Sequence, residues 1–146
     1  MAGTYLKGDF MSHFTKIDRA NIVDAEAFIA ACEELGYTSV KRDAQIKDYY
    51  GKEMRVDVAI NCGRYDIALV KNADGNYDMV ADWWGVRGSG LPDRLKGCHT
   101  DEDLQNTILR HTTKHTIVSR YKRQGFRAMI SEDEEQNLHV ELTRVR

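Results

Sequence analysis

His111 and His115 stand four residues apart in a stretch of helical periodicity, the spacing that lets two imidazoles on one helix face share a metal ion. The residue after His111 is Thr112, so the glutamate base of an HExxH site is absent. Cys98-His99 follows no zinc-finger spacing. Two histidines that hydrogen-bond at the edge of a core explain the pair more simply. His111 and His115 are metal candidates on spacing alone, and no metal or cofactor is expected.

Asp66, Asp78 and Asp82 fall on alternating strand positions and could share one sheet face as a carboxylate group. Acid–base work would need one of them buried with a raised pKa. No GxSxG, P-loop or GxGxxG occurs, and Gly88-Ser89-Gly90 lacks the flanks of a phosphate cradle. The expectation leans against an enzyme, and no catalytic residue is assigned.

Asp82-Trp83-Trp84, with Arg87 just beyond, is the strongest binding candidate. Successive strand residues point to opposite faces, which groups Trp83 with Tyr77 and Met79, and Trp84 with Asp78 and Asp82. One ring then belongs to a core. The other needs a partner or a cover, because Trp is enriched at binding hot spots. A loop over residues 87–99 could supply that cover. Arg120, Lys122, Arg123 and Arg127, with Tyr121 between them, form a basic end that could meet nucleic acid.

Composition sets the bounds. The 146 residues carry a net charge of −2, 42% hydrophobic and 30% charged residues, an ordinary globular balance for one domain. Arg87 to Arg127 holds nine Lys/Arg against four Asp/Glu, so the basic character is local. A solvated helix end explains it as well as an acidic partner does. No apolar run approaches the length that spans a bilayer. Three cysteines without a CxxC suit free thiols in a reducing compartment.

These residues must be positioned by short elements. Residues 1–10 show no period and read as a leader or tag, leaving 11–146 as a single domain. Ser12–Ile17 is a short strand. Asp24 caps a helix from Ala25 to Leu35, with Phe28, Ala31, Cys32 and Leu35 as one apolar stripe and Gly36 as its stop. Strands are expected over Thr38–Ile46, Arg55–Ile60, Tyr65–Val70 and Tyr77–Trp84, the last two joined at Asp74-Gly75. The loop Tyr49-Tyr50-Gly51-Lys52 separates the first two. Thr100 caps a second helix running to Arg123, with Leu104, Ile108, His111 or Thr112, His115 and Val118 as its inner stripe. Phe126–Ile130 and Leu138–Leu142 close the chain as strands. The order β-α-β-β-β-β-α-β-β predicts an α+β fold, a mostly antiparallel sheet of six to seven strands with two helices on one face.

Met11-Ser12-His13-Phe14-Thr15-Lys16-Ile17, Leu35-Gly36-Tyr37, Tyr65-Asp66-Ile67, Val80-Ala81-Asp82-Trp83-Trp84-Gly85-Val86 and Gln124-Gly125-Phe126 together fit one pattern. Over residues 11–146 the chain resembles the family of chloroplast and cyanobacterial proteins called hypothetical chloroplast reading frame thirty-five, a domain of unknown function. The chain departs from the expected terminal aromatic, ending in Arg144-Val145-Arg146. The resemblance implies a soluble protein of cyanobacterial, plastid or cyanophage type, working in a bacterial cytoplasm or plastid stroma. It carries over no catalytic residue. The expected function is a non-catalytic accessory factor that binds a protein partner. The alternatives are a nucleic-acid binder and, behind it, a small metal-dependent enzyme.

Overall fold

A computed structural model describes residues 14–145, without the side chains of 16–20, so the expected leader at 1–10 lies outside the described residues. Strand β1 (Thr15–Ile22) leads into α1 (Ala25–Glu34). Asp24 caps α1 by accepting from the Glu26 and Ala27 amides at 3.0 and 3.2 Å. Phe28, Ala31, Cys32 and Leu35 are all buried, as the stripe predicts. Gly36 stops the helix at φ +112°, a left-handed conformation that side chains disfavour.

Four strands follow: β2 (Val40–Lys47), β3 (Glu53–Asn61), β4 (Asp66–Lys71) and β5 (Tyr77–Ala81). They pair antiparallel with β1 in the order β1-β5-β4-β3-β2. A short helix α2 (Trp83–Gly88), a 3₁₀ turn at Asp93–Leu95 and the long α3 (Asp101–Arg123) come next. The hairpin β6 (Phe126–Glu132) and β7 (Leu138–Arg144) forms a second, two-stranded sheet. The predicted α+β class and strand order hold. The seven strands divide between two sheets, and a third helix replaces the end of the Tyr77–Trp84 strand. No helix among the described residues is long and apolar enough to cross a membrane.

The main core lies between α1 and α3 on one side and Val58, Ile60, Ile67, Leu69, Met79 and Ala81 of the sheet on the other. On α3 the buried positions are Leu104, Gln105, Ile108 and Thr112, and none lies beyond. The expected continuation of the stripe fails: His115 is half-buried and Val118 is exposed, because the helix outruns the sheet.

The outer half of the β2–β3 hairpin changes face. Strict alternation would send Val56 to the helix side with Val58 and Ile60. It packs instead with Ile46, Ala59 and Ala68 in a second cluster, joined by Phe14, Ala44, Met54 and Val70. The change occurs between the paired positions Arg42–Val58 and Ala44–Val56, where Asp43 takes φ +50°. The hairpin thus curls over the sheet face that the helices leave open.

Three hairpin turns share one design. Asp48, Asn72 and Asp133 each accept from the amides two and four residues onward, at 2.9 to 3.2 Å. The fourth residue of each turn, Gly51, Gly75 or Gln136, has positive φ.

Candidate functional site

Strand β5 ends at Ala81 because Asp82 turns the chain into α2. Its Oδ1 accepts the Gly85 amide at 3.0 Å, a helix cap. Its Oδ2 accepts the Tyr49 amide at 3.0 Å, from the tip of the curled hairpin. One carboxylate, only 1% exposed, therefore ties two segments distant in sequence. Gly85 follows from the same packing: a Cβ there would sit 2.6 Å from the Tyr65 ring.

The two tryptophans part as expected, for a different reason. They occupy the first turn of a helix rather than successive strand positions. Trp83 is 3% exposed and its Nε1 donates to the Thr15 carbonyl at 3.3 Å. Trp84 is 46% exposed. Tyr49 meets it edge-to-face at 6.0 Å between ring centroids. Tyr50 stacks edge-to-face on Tyr49 in turn, at 5.2 Å. Tyr49 and Tyr50 are 56% and 64% exposed. The result is a surface ladder of three rings, Tyr50–Tyr49–Trp84, on rigid turns.

Of the four candidates Asp82, Trp83, Trp84 and Arg87, only Trp84 presents its side chain to solvent at this ladder. Arg87 is directed to the start of α3, with Asp101 at 3.0 Å and the His99 carbonyl at 2.7 Å. The expected grouping of Trp84 with Asp78 and Asp82 on one strand face does not form. Asp78 is buried near the Lys71–Tyr77 end of the β4–β5 ladder and accepts from the Asn72 side chain, while Asp66 lies at the other end, beside the Ile67–Ala81 pair that precedes Asp82, and pairs with Asn61 of β3. Burial pushes the Asp66 carboxyl above its ordinary value, although Asn61 and Lys41 oppose this. The three carboxylates make no joint site. Sequence periodicity marks Tyr49 and Tyr50 only as loop residues; the signal for the turn that presents them is the likeness of D-Y-Y-G-K to N-A-D-G-N.

His111 and His115 do come together, around Glu34 at the end of α1. His111 Nδ1 and His115 Nε2 approach the same Oε1 at 2.6 and 3.3 Å. Among the described residues no group of three or more His, Cys, Asp or Glu is arranged to hold a metal ion. Burial works against the Glu34 charge, but the hydrogen bonds and charges of His111 and His115 outweigh it and hold the carboxyl below its ordinary 4.5. A depressed folded pKa stabilises the fold above pH 4.5, and that contribution is lost as pH falls through the lowered value. Glu34→Gln is therefore expected to flatten the acid limb of a pH–melting profile. An unchanged limb would remove the histidine clasp as a source of acid sensitivity.

The cysteines also converge. Cys32 and Cys62 are buried, Cys98 is half-buried, and all three act on the ionisation of Tyr37. Burial pushes Cys62 up to about 12 and Cys32 well above its usual range, so both are unreactive core thiols.

The basic candidates surround the end of α3. Arg120, Lys122 and Arg123 line an open cleft of about 860 Å³ that Asp24 and Glu26 of α1 also line. Lys122 and Arg127 line the adjoining one. Arg123 donates to Ser119 and lies 3.7 Å from Asp24, so its charge is partly used.

The family described as a protein of unknown function, DUF1257, matches this chain over residues 31–143. No curated protein matches it. No solved structure matches it either.

Proposed function

The chain belongs to the DUF1257 family of proteins of unknown function, and from that premise we propose that it is a non-catalytic accessory protein that binds a protein partner through Tyr49, Tyr50 and Trp84. The observation that carries the reading is the exposed three-ring ladder. Trp and Tyr dominate interface hot spots because they bury much area while losing few rotatable bonds. The ladder is preorganised, since Asp82 fixes both the turn carrying Tyr49 and the helix carrying Trp84. Binding would therefore require little further ordering. The resemblance to the chloroplast reading frame family supports a cyanobacterial, plastid or phage-borne setting, in a cytoplasm or stroma, for that partner.

The test is quantitative capture on immobilised chain, comparing wild type with Trp84→Ala and Tyr49→Ala. A specific partner should be retained by wild type and lost at least ~10-fold on Trp84→Ala, the effect of one hot-spot ring. Melting should stay near that of wild type. Equal retention by all three proteins would end this reading.

A second reading rests on Arg120, Lys122 and Arg127, which have no ion-pair partner among the described residues. They could hold a phosphate backbone. Asp24 and Glu26 in the same cleft oppose it. The same preparations titrated with oligonucleotides separate the two: phosphate binding falls steeply with salt, whereas ring burial does not.

A further inference from the structure

We propose that the chain forms a two-fold dimer in which strand β7 pairs antiparallel with β7 of a second copy, centred on Val140. The hairpin β6–β7 is a sheet of only two strands, below the size that is stable by itself. Its Glu132 is bridged by Arg110 and Lys114 of α3, and beyond Thr112 no residue of that helix is buried. Among the described residues nine large hydrophobics are exposed, and five of them, Val118, Met129, Val140, Leu142 and Val145, belong to this arm. Natural edge strands are usually covered, or protected by lysine or proline. β7 has no lysine or proline, carries Glu141 and Arg144 as its charged residues, and among the described residues pairs only with β6.

The backbone shows which groups are open. The Val145 amide donates to the Gly125 carbonyl at 2.8 Å, and the Asp133 amide to the Asn137 carbonyl at 3.1 Å. With Ile130 opposite Val140 in the ladder, the odd-numbered residues of β7 bond to β6. The amides and carbonyls of Leu138, Val140, Leu142 and Arg144 therefore point away, to the open edge. Their side chains share the hairpin face of Phe126, Ala128 and Ile130, which are half-buried toward α3 while Arg127, Met129 and Ser131 are exposed.

The sequence of β7 is complementary to itself. Centring on Val140 sets Leu138 opposite the partner's Leu142 and Val140 opposite the partner's Val140. All of these lie on the apolar face, with their outward amides and carbonyls matched. On the other face His139 meets the partner's Glu141. His139 Nε2 also faces Asp133 of its own hairpin at 2.9 Å. Centring on Glu141 would instead oppose like charges directly, which destabilises a strand pair. Centring on Leu142 would set Val140 against the partner's Arg144. A one-residue slip would put apolar side chains on the wrong face. Centring on His139 would set Leu142 against the partner's Gln136, outside the strand. The strand thus favours the Val140 register with one occupant, a second copy of itself, in an isologous contact. The product is a four-stranded sheet with Val140 and Leu142 of both copies covered between the two α3 helices.

Sedimentation or light scattering over a concentration series should give twice the chain mass for the wild type. Val140→Pro removes one outward amide and no bond to β6, so it should give a folded monomer. Leu142→Lys, a charged edge substitution, is the second variant and should do the same. In a Cys98→Ser background, Val140→Cys should cross-link to its own copy on mild oxidation, while Glu141→Cys should not. A monomeric wild type throughout, a dimer that both edge variants leave intact, or cross-linking through position 141 instead of 140 would each overturn the proposal.

Discussion

Trp83→Ala is expected to destabilise the fold by about 3–5 kcal/mol, the usual effect of deleting a buried indole. Its neighbour Trp84→Ala should stay within about 0.5–1 kcal/mol, since it loses one edge-to-face contact. The contrast follows from placement. Trp83 is buried in the main core among Met79, Val86 and Leu104, and its indole N–H reaches the Thr15 carbonyl of β1. Removing the ring leaves a cavity at the junction of sheet and helices and frees that carbonyl. Trp84 meets Tyr49 edge-to-face and leaves about half of its surface, 46%, to solvent. Urea unfolding of both variants measures the difference directly. Comparable losses for the two would mean that Trp84 is a core ring, and the surface ladder would not exist as described. A small loss for Trp84→Ala is also what allows that variant to report on partner binding, because its fold is retained.

The second large effect lies at Asp82. Asp82→Ala should cost about 2–4 kcal/mol, because one buried and one part-buried amide lose their acceptor and a helix loses its cap. Asp82→Asn keeps one acceptor oxygen and should cost about half as much, by the same reasoning. Both substitutions should also free the hairpin tip, since the Tyr49 amide is anchored by Oδ2 alone among the described hydrogen bonds. Trp84 fluorescence should shift as Tyr49 leaves it, in the native state and before unfolding. If Asp82→Ala melts like the wild type, the carboxylate does not hold the two segments. The preorganisation invoked for the ladder would then have to come from the tyrosine stack itself.

Helix α1 was legible almost to the residue. Its cap, apolar stripe and stop are local signals within one stretch of chain, and no competing contact overrides them. The meander was legible because alternation and turn residues agree over Val58–Ile60 and Asp66–Ala81. The Trp pair was read correctly as divided and wrongly as part of a strand. Helix α2 is too short to display a period, so alternation runs three residues too far, from the capping Asp82 through Trp84. The histidine pair was legible as a pair, but Glu34 between its nitrogens was not, since it arrives from α1, 77 positions away in the chain.

The sequence by itself determined the fold class, the order of the strands and of the two long helices with their caps, and the division of the aromatic pair at residues 83–84. All of these depend on periods, caps and turns whose partners lie within a few residues. Only the tertiary structure decided that Tyr49 and Tyr50 join Trp84, that Asp82 is the tie between them, and that β6–β7 forms a separate two-stranded sheet among the described residues. Those outcomes hinge on the face change near Asp43 and on a helix longer than the sheet it covers. Both are fixed by packing between segments remote in the chain, which no local pattern encodes.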